Sequence, residues 1–481
     1  MRVKLILPAL AETRDPSIRG VKYWRFPPLG LAALAGYLHA SDQVDLQDEH
    51  VETLDTRETP DLVGIQVYTS SANRAYQLAD DYRARGAHVC LGGLHVTSAW
   101  REAAGHADTV VLGPGEDAWP RFLADFRAGR ARRVYRSTRR TLAGAPPPRR
   151  DLIKRNLYLV PNTLVVSRGC PHHCDFCYKD AFYRGGRGFY TMAVDQALDE
   201  VAGLPGRHLC FLDDNLFGST RFAEALFDGL RGMGRVWLAA GTVQAVLDHP
   251  RLIEQAAEAG LRSLFVGFET LSRDGLNSVN KTHNLDRDYG AAVARLHSLG
   301  VMVNASFVFG LDGDDESVFD RTVDWAVAQG VESATFHILT PYPGTRLYQR
   351  MAQAGRLITG NWDLYDTRHA VFRPAGMSAE ALETGYHRAN ERFASWSSIW
   401  RAAATKDSLR DRLRHLAFSS GLRRWNPLWS WVIRHGCLTR LIPVLEWLLQ
   451  GLGRYPAAAA TPAALPTSPR PPLTPHCSPP A

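Results

Sequence analysis

The 481 residues carry 45% hydrophobic and 22% charged side chains, an ordinary globular composition that excludes disorder along the whole chain. The net charge of +7 (56 Lys and Arg against 49 Asp and Glu) comes largely from Arg-rich runs at 127–150 and 401–440, so it is local and suits a phosphate-bearing cofactor, an anionic membrane surface or plain solvated helices. Seven cysteines are too few for a disulfide framework, and three of them fall within eight positions, which points to a metal site in a reducing compartment.

At roughly 100–200 residues per domain the length accommodates two to four domains. The apolar run at residues 3–7 is too short for a signal peptide and reads as a first β-strand, so a cytoplasmic protein is expected. Over 1–126, strand-like runs at 3–7, 44–46, 62–68, 88–91 and 109–112 alternate with helical patterns. This predicts an α/β domain with a doubly wound, Rossmann-like parallel sheet that binds ligands at its C-terminal strand ends. Residues 127–161, Arg-rich and containing Pro146-Pro147-Pro148, predict a linker draped over a neighbouring surface. Over 162–345, strands at 163–167, 208–213, 236–240, 263–268, 302–309 and 333–339 alternate with helices. These six β/α units predict a curved partial barrel with its reactive groups on the loops after the strands. Residues 346–454 read as an α-helical, Trp-rich extension whose amphipathic stretch 438–452 packs on its own domain or lies on a membrane, and 455–481 as a disordered Ala/Pro-rich tail. No run reaches about 18 apolar residues, so no spanning helix is expected.

Cys170, Cys174 and Cys177 form a C-x-x-x-C-x-x-C array directly after the first barrel strand. Thiolates at such spacing suit an iron–sulfur cluster, and three ligands for four irons leave one iron open to chelate a substrate or cofactor. The alternative is zinc completed by His172 or His173, although the second C-x-x-C of a zinc knuckle is missing. Glycines and polar residues also gather at the strand ends: Asp213-Asp214-Asn215, Glu269, Gly310 and Gly313 in the barrel, and Pro28-Leu29-Gly30, Asp48-Glu49-His50, Ser70-Ser71, Gly92-Gly93 and Gly113-Pro-Gly115-Glu116 in the first region. Glycines there let backbone approach a bulky ligand, and hydroxyls can bind a nucleotide tail. His95, His337, Cys90 and Cys210 read as structural.

The cysteine loop, with aromatic Phe176 before the third cysteine, resembles that of the radical SAM superfamily. The resemblance implies that Cys170, Cys174 and Cys177 hold a 4Fe-4S cluster whose open iron binds S-adenosylmethionine, and that Phe176, Asp213, Asp214, Asn215, Glu269, Gly310 and Gly313 contact that cofactor. It further implies one-electron cleavage to a 5′-deoxyadenosyl radical, fed by an external flavodoxin- or ferredoxin-type reductant. The first region resembles the cobalamin-binding domain that precedes many such barrels, implying cobalamin contacts from Pro28, Leu29, Gly30, Asp48, Glu49, His50, Ser70, Ser71, Gly92, Gly93, Gly113, Gly115 and Glu116. Cobalamin domains with D-x-H-x-x-G ligate cobalt through the histidine; here Thr53 replaces the glycine, and His50 either ligates cobalt or lines the pocket. The helical segment, including Asn361-Trp362-Asp363 and His369, resembles the extension of hopanoid methylases.

These resemblances imply a cobalamin-dependent C-methyltransferase acting on an unactivated carbon of a lipid or natural product, with no nucleic-acid partner. The alternatives are an oxidative cyclase using the same cofactors without methyl transfer and, more remotely, a cobalamin-binding redox regulator.

Overall fold

The computed structural model describes residues 1–11, 26–186 and 188–424; residues 425–454 of the Trp-rich extension, with the amphipathic stretch, and the Ala/Pro-rich tail lie outside the described residues. The first domain is built from β1 (Arg2–Leu7), α1 (Leu29–Ala35), β2 (Gln43–Asp48), β3 (Leu62–Gln66), α2 (Ala72–Ala84), β4 (His88–Gly92), α3 (Leu94–Ser98), α4 (Trp100–Ala103), β5 (Thr109–Leu112), α5 (Gly115–Arg127) and β6 (Val134–Arg136). The strands form one parallel sheet in the order β2-β1-β3-β4-β5-β6. Helices cover both faces, which is why β3 and β5 are buried almost end to end instead of alternating with polar residues.

β6 lies in the stretch read as linker. Its three residues pair with Val110–Leu112, and Tyr135 is buried with its hydroxyl donating to Asp125 Oδ2 at 2.9 Å, so the sheet continues past residue 126. The following residues form a strap. Leu142 is buried in the core of the second domain, whereas Ile153 and Tyr158 are buried in that of the first.

The second domain contains β7 (Thr163–Leu164), β8 (Ser167–Gly169), α6 (Lys179–Phe182), β9 (Phe189–Thr191), α7 (Val194–Gly203), β10 (His208–Phe211), α8 (Thr220–Leu230), β11 (Val236–Gly241), α9 (Val243–Asp248), α10 (Pro250–Glu258), β12 (Leu261–Glu269), α11 (Arg273–Ser278), α12 (Tyr289–Ser298), β13 (Met302–Phe309), α13 (Val318–Ala328) and β14 (Ser333–Ile338). The order β7-β10-β11-β12-β13-β14 is fully parallel and has two edges, an open (βα)6 barrel. Large side chains pack its strands against the surrounding helices, among them Trp237 on Phe227 of α8, Phe268 and Phe307 on Trp325 of α13, and Phe309 on Phe319 of α13. The strand expected at 163–167 stops at Leu164, and β8 pairs antiparallel with β9 instead. The cause is distant in sequence: the Asp213 carboxylate takes the backbone N–H groups of Val166 and Ser167, which removes them from the ladder.

The chain continues through α14 (Arg346–Gln353), α15 (Ala379–Phe393), α16 (Trp396–Ala404) and α17 (Leu409–Arg423). Among the described residues no helix is long and apolar enough to cross a membrane. Between α14 and α15 a turn returns to the first domain, where Trp362 Nε1 donates to Glu102 Oε1 at 2.9 Å and Asn73 Nδ2 to Asn361 Oδ1 at 3.0 Å.

Candidate active site

The cysteine loop leaves β8 and returns through α6 to β9. Its ends are held by Cys170 N–H donating to Gly188 O at 3.2 Å and Asp175 N–H to Val279 O at 2.9 Å, and Cys177 N–H donates to Cys174 O at 3.1 Å. All three thiols are free, and Asn215 Nδ2 donates to Cys170 Sγ at 3.6 Å. Burial pushes the Cys174 thiol up and Cys177 up to about 12, so the protein alone supplies too little positive charge to keep thiolates there. An iron–sulfur cluster supplies that charge, and the donor set fits one. Zinc fits less well. Among the described residues no three donors converge on one ion, while His172 stacks on His283 (3.7 Å between centroids) and His173 Nδ1 engages Asp180 at 3.0 Å.

The residues expected around S-adenosylmethionine divide. Asp213 is buried and committed to backbone: besides Val166 and Ser167 N–H it accepts from Ser167 Oγ at 2.6 Å, and burial raises its carboxyl to about 7. These bonds shape the entry to the cysteine loop. Asp214 accepts from Gly169 N–H at 2.9 Å and from the Tyr178 hydroxyl, and lines the large cavity described below. Glu269 ends β12 at φ +63°, beyond a register shift after Gly267, and pairs with Lys281 Nζ at 2.7 Å. Burial works against the Lys281 ammonium, but Glu269 holds it charged. Gly310 and Gly313, at φ +91° and +98°, form a turn closed by Asp314 Oδ2, which accepts from Gly310 and Leu311 N–H at 3.0 and 2.9 Å. Phe176 is half-buried against the barrel core.

A cavity of about 840 Å³ lies between the two domains. Pro28, Leu29, Gly30, Gly93 and Glu116 line it from the first domain, Pro146, Pro147 and Pro148 from the strap, and Arg168, Tyr178, Met192 and Asp214 from the second. A slot of about 130 Å³ lies beside it, lined by Gly30, Gly64, Gly92, Gly93, Gly113, Gly115 and Glu116. An added Cβ would stand 2.9 Å from Leu5 Cδ2 at Gly64, 2.7 Å from Leu34 Cδ2 at Gly115, and 2.8 Å from Val67 O at Gly93, where φ is +114°. These glycines therefore hold open a channel sized for a ligand tail.

The structure does not bring Asp48, Glu49, His50, Ser70 and Ser71 to either cavity wall. Asp48 accepts from His50 Nδ1 at 2.8 Å and Tyr158 Oη at 3.0 Å, Glu49 is paired with Arg74 at 2.5 Å, and Ser71 is fully buried. Arg168, Lys281, Tyr178 and Gly64 were not singled out in the sequence. Gly64 alone left a signal, a glycine inside the apolar run Leu62–Gln66.

A doubly wound sheet facing an open (βα)6 barrel with a three-cysteine loop, across a shared cavity, defines an enzyme that joins a bulky cofactor to radical chemistry. Comparison agrees. A model described as the B12 binding domain matches residues 21–123, and one described as the Radical SAM superfamily matches 164–326. Bacteriochlorophyllide d C-12(1)-methyltransferase of Chlorobaculum tepidum is 31% identical over 335 residues, 67% of this chain and 72% of that protein. Bacteriochlorophyllide d C-8(2)-methyltransferase of the same organism is 26% identical over 366 residues, 72% of this chain and 80% of that protein. The solved structure of the cobalamin-dependent S-adenosylmethionine radical enzyme OxsB, with aqua-cobalamin and S-adenosylmethionine bound, superposes with a TM-score of 0.64 over 94% of this chain and 75% of that one at 14% identity, a likeness of fold. The chain belongs to the cobalamin-dependent radical SAM methyltransferase family. Its cofactors are a 4Fe-4S cluster, S-adenosylmethionine and cobalamin.

Proposed function

We propose that the enzyme methylates an unactivated carbon of a large, mostly apolar small molecule, a lipid or a polycyclic natural product. The observation that carries this reading is the interdomain cavity, whose wall combines residues of both cofactor domains with an apolar lining from Pro28, Leu29, Pro147, Phe182 and Met192. Relatives named for methylating bacteriochlorophyllide d support a ring-system substrate. When bound, the cluster and S-adenosylmethionine supply hydrogen abstraction and cobalamin supplies the methyl group.

The protein's part in this reading is positioning and exclusion of water. Cys170, Cys174 and Cys177 hold the cluster, and the Asn215 amide donates toward the Cys170 sulfur, a contact of the kind that tunes cluster potential. Asp214, Glu269 with Lys281, and the Gly310–Gly313 turn cradle S-adenosylmethionine, with Phe176 packed beside the loop. Pro28, Leu29, Gly30, Gly92, Gly93, Gly113, Gly115 and Glu116 receive cobalamin, with its tail in the glycine slot. His50 leaves cobalt without a protein ligand in this reading, since it does not line the interdomain cavity. A flavodoxin- or ferredoxin-type donor supplies the electron. Exposed Trp396, Trp400, Leu409 and Leu413 on α16 and α17, among several arginines, support peripheral contact with a membrane that stores such a substrate.

The test is anaerobic reconstitution with iron, sulfide and cobalamin, then incubation with trideuteromethyl-labelled S-adenosylmethionine and a panel holding bacteriochlorophyllide d and a hopanoid. A product carrying the labelled methyl, with S-adenosylhomocysteine formed alongside, is expected. A dehydrogenated or cyclised product without label would replace the reading with the cyclase one. Cys174→Ala should lose cluster absorbance and all reductive cleavage.

A further inference from the structure

We propose that the outer face of the cysteine loop is the docking surface for an acidic one-electron donor protein. The inference rests on the reading that Cys170, Cys174 and Cys177 hold the cluster. A surface cleft of about 440 Å³, separate from the interdomain cavity apart from shared Tyr183, is lined by Cys174 and Cys177 and bordered by Lys179, Arg184 and Arg346. Two cluster ligands thus lie on the wall of an open cleft that the substrate cavity does not use.

The charge around this cleft is lopsided. The surface cations are three arginines, Arg184, Arg346 and the neighbouring Arg350, against two carboxylates, Asp175 and Asp180, and the buried Lys179 adds a fourth positive charge beneath them. Arg350 sits on Asp175 at 2.8 Å and Lys179 on Asp180 at 2.9 Å, which accounts for both acids. Arg346 reaches them only at 3.5 and 3.7 Å with a side chain 57% exposed, and Arg184 is exposed with no ion pair among the described residues. Gly185 and Gly188, where an added Cβ would meet nothing, border open space at the rim.

Electron transfer needs brief, close contact and no large interface, and such encounters are steered by complementary charge. A positive rim around two cluster thiols selects a donor with an acidic face. In the transfer, one electron leaves the reduced donor and one arrives at the cluster; no bond forms or breaks.

The experiment measures binding of an oxidised acidic flavodoxin to the reconstituted enzyme by biolayer interferometry at low and high salt, for wild type, Arg184→Glu, Arg346→Glu and the milder Arg184→Gln. In parallel, S-adenosylmethionine cleavage is driven either by reduced flavodoxin or by dithionite. Wild-type affinity should fall with salt, and each charge reversal should weaken binding about tenfold and slow flavodoxin-driven cleavage in proportion, with dithionite-driven cleavage unchanged. Equal binding by wild type and both reversals would overturn the docking proposal. Absence of dithionite-driven cleavage in the wild type would overturn the cluster reading, a separate result.

Discussion

Glu116, in the first turn of α5, and Arg168, two residues ahead of the first cysteine, form a 2.5 Å ion pair across the two domains, and both side chains line the large cavity. Burial works against the Arg168 charge, but the carboxylates of Glu116 and Asp214 hold the guanidinium protonated. The pair therefore sets the distance between the sheet domain and the cysteine loop.

Loosening that pair should separate cofactor cleavage from product formation. Glu116→Gln is expected to keep iron content and S-adenosylmethionine cleavage close to wild type while methylated product per cleavage falls about tenfold, as misplaced reactants do. Quantifying 5′-deoxyadenosine and product together checks this; an unchanged ratio would assign the pair to stability alone.

Gly267→Ala addresses the strained end of β12. The new Cβ would stand 2.4 Å from Glu269 Oε1 and 3.2 Å from Lys281 Nζ, so the pair must shift. Affinity for S-adenosylmethionine, measured anaerobically by calorimetry, should drop on the order of tenfold, with Glu269→Gln similar, since removing one partner leaves a buried charge unpaired. Wild-type affinity in both variants would remove Glu269 from the cofactor site.

The Trp362 turn ties the C-terminal segment to the first domain. Its indole donates to Glu102 and meets the His95 ring edge-on at 5.0 Å, while His95 Nε2 engages Tyr76 Oη at 3.0 Å. Trp362→Phe keeps an aromatic ring but no donor, and should cost about 1–2 kcal/mol in urea unfolding. Trp362→Ala should cost more by the lost ring contact.

Glu332 governs the acid limit of the other end. Burial alone would raise its carboxyl, but His297 at 3.1 Å, Lys406 at 2.9 Å and the facing His415 hold it well below the ordinary 4.5. A depressed folded value stabilises the protein above the unfolded one, and that contribution is lost as pH falls through 4.5 and further. Unfolding measured between neutral pH and pH 4 should show this decline, and Glu332→Gln should flatten it while costing roughly 3 kcal/mol at neutral pH. An unchanged slope would shift the acid sensitivity to other carboxylates.

Features written in local spacing were legible in the sequence: the cysteine array, the alternation of both parallel sheets and the strand-end glycines. Those set by distant partners were not. β6 is three residues among arginines, and the break after Leu164 is imposed by Asp213, whose position at a strand end suggested a cofactor contact. Asp48, Glu49 and His50 also follow a strand, yet Tyr158, Arg74 and each other satisfy them. Arg168 and Lys281 gain meaning only from Glu116 and Glu269, 52 and 12 residues away in sequence.

The strap anchors Leu142 in one core and Tyr158 in the other while its prolines wall the shared cavity. A chimera that exchanged the cobalamin domain by cutting at residue 126 would sever β6 from its sheet and leave the Ile153–Tyr158 end of the strap facing a foreign core. A transplantable cassette has to run from the N-terminus through Pro161, with the Trp362 turn matched to it, because the joint draws its packing from both halves.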